Sequence, residues 1–423
     1  MSSPRRVAIA CQGGGSHTAF TAGVLRGLLD ADVLRDVRIV GLSGTSGGAV
    51  CALLTWYALR DGNPAEARSL LDAFWAENAA EGLVDQTANA ATLWTATLQG
   101  LGLLPAISPY DTPVSDAASA ALRGMLERCV DFDRIDVDED AAHPMLLLGA
   151  VDVLTGAFRT FNSRRDRITA DMILASAAIP SIFRSVRVGD ELLWDGLFSQ
   201  NPPVRELLDA GPDELWVIQI NPQSLEREPR TVLEIADRRN ELAGNLSLLQ
   251  ELSFIEKIDQ LLEAGVLAPG AGYRHVVVRI IELPRSDLRG VGAISKLDRD
   301  PGFLEALIAD GESKAAEFLA ALRLEGTFAT GDADAMLELF ADDACVRAHA
   351  PFPDGEHRGE ALRRFVADQL VAHAEVDLTR KQVAGDRVTW TLRVRDGERP
   401  RRAVASAEFR AGKVAELRVG GAS

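Results

Sequence analysis

A chain of 423 residues exceeds the size at which a single hydrophobic core usually stops growing, about 250 to 300 residues, so two domains are expected. Apolar residues make up 47% and charged residues 25%, an ordinary globular balance that excludes extended disorder. The net charge of −17 excludes a nucleic-acid partner and electrostatic capture by an anionic membrane.

That charge is uneven. Thr327 to Ser423 holds 15 basic and 16 acidic residues, against 30 and 46 in the part before it, which places a boundary near residue 325. Cys11, Cys51, Cys129 and Cys345 lie far apart with no CxxC pair, so they form neither a disulfide framework nor a zinc site and fit a reducing compartment. Residues 1–6 are polar and lead straight into a strand without an apolar signal region. No apolar run approaches the roughly 20 residues of a membrane span. A cytoplasmic location without a transmembrane segment is the expectation.

In chain order, Val7 to Cys11 is a short apolar strand, followed by Gly13, Gly14 and Gly15 and a helical pattern from Ala19 to Leu29. Val37 to Leu42 is a second strand that enters Gly44-Thr45-Ser46-Gly47-Gly48, and an alanine- and leucine-rich helix follows to Leu59. Strand, turn and helix repeat as in parallel α/β sheets. Asn63, Pro64 and Glu66 read as a cap, a first-position proline and a first-turn carboxylate. Met145 to Val153 is a strand that pairs with Ala157 to Phe161, and Ala170 to Ala178 is a helix. Leu192 to Trp194 leads into Asp195-Gly196, and Leu215 to Ile220 is a buried strand. Thr231 with Glu234 forms a capping box opening a helix that reaches about Ala264. His275 to Ile281 is the last strand, and an amphipathic helix over 302–322 closes the first domain.

Gly44-Thr45-Ser46-Gly47-Gly48 fits GxSxG at a strand-to-helix junction. Such a turn holds the serine clear of the sheet in a strained conformation, at a helix N-terminus that favours a developing oxyanion. The bland alternative is a tight turn with an exposed serine. Gly13-Gly14-Gly15 offers consecutive backbone amides that can bind an oxyanion. The competing dinucleotide pattern GxGxxG fails because position 18 is Thr where the third glycine belongs.

The base is harder to read. Of six histidines, His17 lies in the glycine turn, His143 in a polar loop, His275 at a strand start, and His349, His357 and His373 in the second block. None stands in a typical base context. Asp195 follows an apolar strand and precedes Gly196, and partial burial raises a carboxyl pKa into the useful range. By itself Asp-Gly is a common turn.

The glycine triplet, the GxSxG about 30 residues later and Ala175-Ser176-Ala177-Ala178-Ile179-Pro180 ahead of Asp195-Gly196 together resemble the patatin-like phospholipases. The similarity runs through Asn201-Pro202-Pro203, Gln219-Ile220-Asn221-Pro222 and the helix with Asn240 and Glu241, over about residues 5–322, and is strongest to the bacterial branch with a GGGSHGAF turn. It implies a three-layer α/β/α fold with a mostly parallel sheet over 1–325. It also implies Ser46 as nucleophile, Asp195 as its partner in a Ser-Asp dyad and Gly13, Gly14 and Gly15 as the oxyanion hole, supported by Gly44, Gly47, Gly48 and Gly196. Thr18, where that branch has Gly, and Leu197, where DG[GA] expects Gly or Ala, depart from the pattern. The runner-up is an α/β-hydrolase with a Ser46, Asp195, His275 triad, against which the early position of the elbow argues.

Residues 326–423 place helices at Ala333 to Leu339 and Gly359 to Leu370 among strand-like runs at Cys345 to Ala348, Glu375 to Gln382, Arg387 to Arg395, Ala403 to Arg410 and Val414 to Val419. This order resembles the SnoaL-like, ketosteroid-isomerase-like α+β cone. Asp332, Arg347, His349 or His357 could line a cavity in such a cone, although a dimerisation or docking module is the preferred reading.

The expectation is therefore an acyl hydrolase, phospholipase A or lysophospholipase in type, that needs no metal or cofactor and takes a lipid or other acyl ester. Transient contact with a membrane surface and a homodimer through the second block are left open. The alternative is a regulatory or binding protein that keeps the patatin fold without turnover and uses the second block as sensor or dimeriser.

Overall fold

The computed structural model describes residues 4–30, 32–137, 140, 142–180, 182–225, 227–268, 273–284, 292–371, 374–384, 387–396, 399–410 and 412–421. His373 lies outside the described residues. The chain divides into two compact units, one of Met1–Val276 with Arg285–Glu312 and one of Val277–Pro284 with Ser313–Ser423.

In the first unit, β1 (Arg5–Cys11) leads through the glycine turn into α1 (Ala19–Leu28), and a short α2 (Val33–Asp36) precedes β2 (Val37–Gly44). Helices α3 (Gly47–Arg60), α4 (Pro64–Asn78), α5 (Gly82–Gly100) and α6 (Val114–Cys129) follow. Then come β3 (Met145–Asp152), β4 (Phe158–Asn162), α7 (Ala170–Ser176), β5 (Val186–Val188), β6 (Glu191–Asp195), β7 (Glu214–Gln219) and α8 (Val232–Glu263).

The central sheet of this unit has the order β7-β1-β2-β3-β6-β5, with β4 on β3. The pairs of β1 with β2 and β7 and of β2 with β3 are parallel, and only β4, β5 and β6 run antiparallel to their neighbours. Parallel strands covered on both faces carry unbroken apolar runs, and Val7 to Cys11 in β1 and every residue of β3 are buried accordingly. Helices α3 and α7 pack against these strands. Because parallel strands all end on one side, the turns after β1 and β2 meet there.

Local chemistry sets the element ends. Asn63 accepts from the Glu66 amide at 3.1 Å to start α4 behind Pro64, and Thr231 and Glu234 close a reciprocal capping box that starts α8. Caps of this kind contribute about 1 kcal/mol each. The helix expected over 302–322 is longer. As α9 (Pro301–Thr330) it starts at a proline, meets no strong breaker until Gly331 at φ +68°, and passes from the first unit into the second instead of closing the first.

The second unit holds β8 (Val277–Glu282), α10 (Ala333–Glu338), β9 (Phe340–Ala348), β10 (Gly355–Arg358) and α11 (Gly359–Phe365), then β11 (Ala374–Ala384), β12 (Arg387–Asp396), β13 (Arg399–Arg410) and β14 (Lys413–Gly421). Its sheet, β10-β9-β14-β13-β12-β11-β8, is antiparallel from β11 to β14, so this is an α+β unit. Arg279 and Glu325 form a buried ion pair at 2.8 Å within it.

Candidate active site

Ser46 sits between the end of β2 and the start of α3 with φ 58° and ψ −131°. Among the described residues it is the one non-glycine residue with positive φ. This strained elbow is what the GxSxG context predicted. The flanking glycines are steric necessities. A side chain on Gly13 would come within 2.6 Å of the Thr45 carbonyl oxygen and 2.9 Å of Ser46 Cβ, and one on Gly44 or Gly48 would enter the backbone of the neighbouring turn.

Two contacts from the end of α7 hold the elbow. The Ser46 amide donates to both the carbonyl oxygen and Oγ of Ser176, each at 3.1 Å, and Ser176 Oγ donates to the Gly149 carbonyl at 2.7 Å. Two residues on, the Ala178 carbonyl accepts from the Asp195 amide at 3.0 Å. The Ala175-to-Pro180 stretch thus fastens both chemical groups.

Asp195 closes β6 opposite Ala150 of β3, and only 1% of its surface is exposed. Oδ1 accepts from the Leu197 amide at 2.8 Å. Burial pushes its pKa up to about 7, against the opposing influence of the Leu197 amide, the Ser46 hydroxyl and the charge of Lys296. Oδ2 is buried and has no partner of full hydrogen-bond geometry among the described residues, although the Ser46 hydroxyl is near enough to stabilise the charged form. A side chain on Gly196 would lie 2.6 Å from the Gly149 carbonyl oxygen and 3.0 Å from Thr45 Cγ2. Folding therefore brings positions 46 and 195 together. A carboxyl so tuned can take a proton from a neighbouring hydroxyl near neutral pH.

The glycine turn lies beside Ser46, with one adjustment to its expected role. The Gly13 amide is already engaged by Asn201 Oδ1 at 2.8 Å, so it is not available to an oxyanion. The amides of Gly14 and Gly15 find no acceptor among the described residues. Gly15 has φ +58°, and a Cβ there would run into the Lys296 carbonyl oxygen. Gln12 anchors the turn, its Oε1 accepting from the Ile220 and Asn221 amides at 2.8 Å each and its Nε2 donating to Asn245 Oδ1 at 2.9 Å.

The two departures from the expected pattern are accommodated. Thr18 Oγ1 donates back to the Gly15 carbonyl at 2.5 Å and lies against Gly47. Leu197 acts on Asp195 through its amide, which any residue except proline supplies.

No histidine joins the pair. His17 is buried with Nε2 2.8 Å from Ser295 Oγ, and burial, assisted by Lys296, lowers its pKa to about 3, so it stays neutral. His275 lies 3.5 Å from Asp259, and its neighbour Arg274 donates to the Gly211 carbonyl, which also accepts from Arg6 at the start of β1. That is the N-terminal end of β1, away from the end that leads into the glycine turn beside Ser46, so the structure does not assemble a Ser46, Asp195, His275 triad. In the second unit His349 pairs with Asp354 at 2.5 Å with both side chains exposed, and His357 stacks on Phe365 at 4.3 Å. Asp332 caps α10 and Arg347 pairs with Glu356 and Glu416. Among the described residues no group of three or more His, Cys, Asp or Glu is placed to hold a metal ion.

Residues 9–208 match the model of the patatin-like phospholipase family. They form a patatin-like phospholipase domain. Residues 320–417 match the SnoaL-like domain. The chain is thus a mixed α/β protein whose patatin-like domain has a central, mostly parallel sheet with helices around it, followed by a SnoaL-like α+β domain. No curated protein matches the chain at a significant level. Similar solved structures include an NTF2-like protein from Mesorhizobium loti, 24% identical over 26% of this chain and 92% of its own, with a TM-score of 0.23. Another is an NTF-2 like protein from Burkholderia xenovorans, 25% identical over 26% and 85%, with a TM-score of 0.22. A steroid delta-isomerase from Pseudomonas aeruginosa is 18% identical over 25% and 79%, with a TM-score of 0.22. The match of residues 9–208 points to a hydrolase of the phospholipase kind as the general class.

Proposed function

We propose that the patatin-like domain is a serine acyl-ester hydrolase of the phospholipase A or lysophospholipase type, working through an acyl-Ser46 intermediate. The observation that carries this reading is the strained Ser46 beside a buried Asp195 whose pKa is pushed up to about 7. Ser46 Oγ attacks the acyl carbon while its proton passes to Asp195. The oxyanion is received by the Gly14 and Gly15 amides, each such donor being worth about 10² to 10³ in rate. Collapse breaks the ester bond, and Asp195 returns the proton to the leaving alcohol. Water, deprotonated by the same carboxylate, then releases the fatty acid and restores Ser46.

A lipid substrate fits the surface. Residues 86–110 contain no charged side chain, yet Trp94, Leu103 and Ile107 in this stretch are 69%, 68% and 62% exposed. Exposed apolar side chains without charges suit transient contact with a lipid surface. No helix among the described residues is long and apolar enough to cross a membrane. The four free cysteines fit a reducing, cytoplasmic setting. The SnoaL-like block, 326–423 by composition, is read as a docking or dimerisation module, in keeping with the exposure of its acid-histidine pair, His349 with Asp354, to solvent.

Incubation of the full chain with a fluorophosphonate is the test. Wild type labels at Ser46, and Ser46→Ala does not. An unlabelled wild type would return the chain to the regulatory reading.

A further inference from the structure

The turn from Gly292 to Leu297 carries no motif, yet it meets both halves of the proposed site. Ser295 Oγ lies 2.8 Å from His17 in the glycine turn, and the Lys296 carbonyl oxygen fills the space next to Gly15. Lys296 Nζ donates to Asn221 Oδ1 at 2.6 Å, and its charge acts on Asp195. Asn221 is 1% exposed, stands just past β7, and has a buried Nδ2 without a partner among the described residues. The turn is tied to α8, where Asp237 Oδ1 accepts from the Ala293 amide at 2.9 Å.

A lysine drawn out of solvent this far is costly to keep charged. Burial lowers its pKa, and Glu241, Asp237 and Asp195 oppose that. A lysine that only balanced α8 would donate to Glu241 or Asp237. Here the ammonium donates to a neutral amide, Asn221, and its field reaches the carboxyl beside the nucleophile. Glu241 has a cation of its own, Arg238, at 3.1 Å.

We propose that Lys296 is a positioning residue of the acyl-transfer site: clamped by the buried Asn221, it brings a buried positive charge to the site, while its backbone carbonyl sets the glycine turn. A single turn thereby couples the base to the oxyanion donors. This inference rests on the Ser46 and Asp195 reading given above.

The groups facing each partner fix the sign. The Leu197 amide, the Ser46 hydroxyl and the charge of Lys296 all favour the charged form of Asp195. The charges acting on Lys296 are those of Glu241 and Asp237 on α8 and Asp195 on β6, and Lys296 in turn acts on neutral His17 in the glycine turn. Removing the cation lets Asp195 hold its proton to higher pH. Only the deprotonated carboxylate serves as base, so the acid limb of the rate profile moves upward.

The experiment measures the rate of fluorophosphonate labelling of Ser46 against pH in the full chain. Lys296→Met is expected to raise the midpoint by about one pH unit, cutting the rate about tenfold below it and leaving the alkaline plateau within about twofold. Lys296→Arg returns the midpoint towards wild type. Asn221→Ala keeps the charge but releases the ammonium, and shifts the midpoint by less in the same direction; it also provides the readout if Lys296→Met does not fold. An unmoved midpoint with a lowered plateau in the variants that fold overturns the proposal. An unlabelled wild type brings down the dyad reading and this inference together, whereas a labelled wild type with an unmoved midpoint brings down only the inference.

Discussion

Ser176 grips the backbone amide of Ser46 from two sides, with its carbonyl oxygen and its hydroxyl each 3.1 Å away. The hydroxyl also bonds to Gly149 in β3, so the elbow is tied to the sheet through a residue that touches no substrate in the proposed reaction. Ser176→Ala removes one of these ties and leaves the Gly149 carbonyl short of a donor. We expect kcat to fall about tenfold with KM little changed, and stability to drop by about 1 kcal/mol. Steady-state kinetics on a soluble short-chain ester, with a denaturant titration, measure both. A change confined to KM would contradict the bracing role.

Asp195 couples activity to pH with a defined sign. Its carboxyl is raised from an ordinary carboxylate value to about 7 in the fold, so kcat/KM should climb as pH rises through about 7. Stability runs the other way. A carboxyl with a raised folded pKa favours the native state fully below its unfolded value of about 3.9, and that contribution is lost as pH rises through about 7. Asp195→Asn should therefore melt higher than wild type at pH 8 but not at pH 4, while losing about 10² to 10⁴ in kcat. Thermal denaturation at the two pH values decides the first point, and equal differences at both would sink it.

Replacing His275 by Ala should leave turnover unchanged, because that ring pairs with Asp259 and its neighbour Arg274 is tied to the N-terminal end of β1, away from Ser46. A loss greater than about tenfold would reinstate a triad. His17, neutral with a pKa of about 3, should add no inflection to the rate profile between pH 5 and 9.

Two glycines should respond in opposite directions to alanine. At Gly15 the φ of +58° and the Lys296 carbonyl leave no place for a methyl group, so Gly15→Ala should cost about 1 to 3 kcal/mol and abolish labelling at Ser46. At Gly326, in the interior of α9, nothing stands within 4 Å, so alanine there should stabilise by about 0.5 to 1 kcal/mol. Chemical denaturation of the two variants compares them directly.

What could be read from the sequence was local. Asn63 with Glu66 and Thr231 with Glu234 announce helix starts through caps that need only three residues of context, and the structure contains both. Unbroken apolar runs marked β1, β3 and β7 for the same reason. Lys296 was invisible because its role arises from closure across 101 positions to Asp195 and 75 to Asn221, with no motif around it. Asn201 and Asn221 stood within stretches noted for resemblance, but nothing in their spacing revealed that one takes the Gly13 amide and the other holds the lysine. Leu197 looked like a defect from the one-letter pattern because a motif records side chains, whereas its contribution is an N–H.

The φ of 58° at Ser46 has an evolutionary corollary. Glycine would occupy that backbone with less strain, at a gain on the order of 1 kcal/mol. Heat-resistance screening blind to turnover would thus drift toward inert variants at this position, and improved thermotolerance from a change at residue 46 should be taken as a warning that the chemistry has gone.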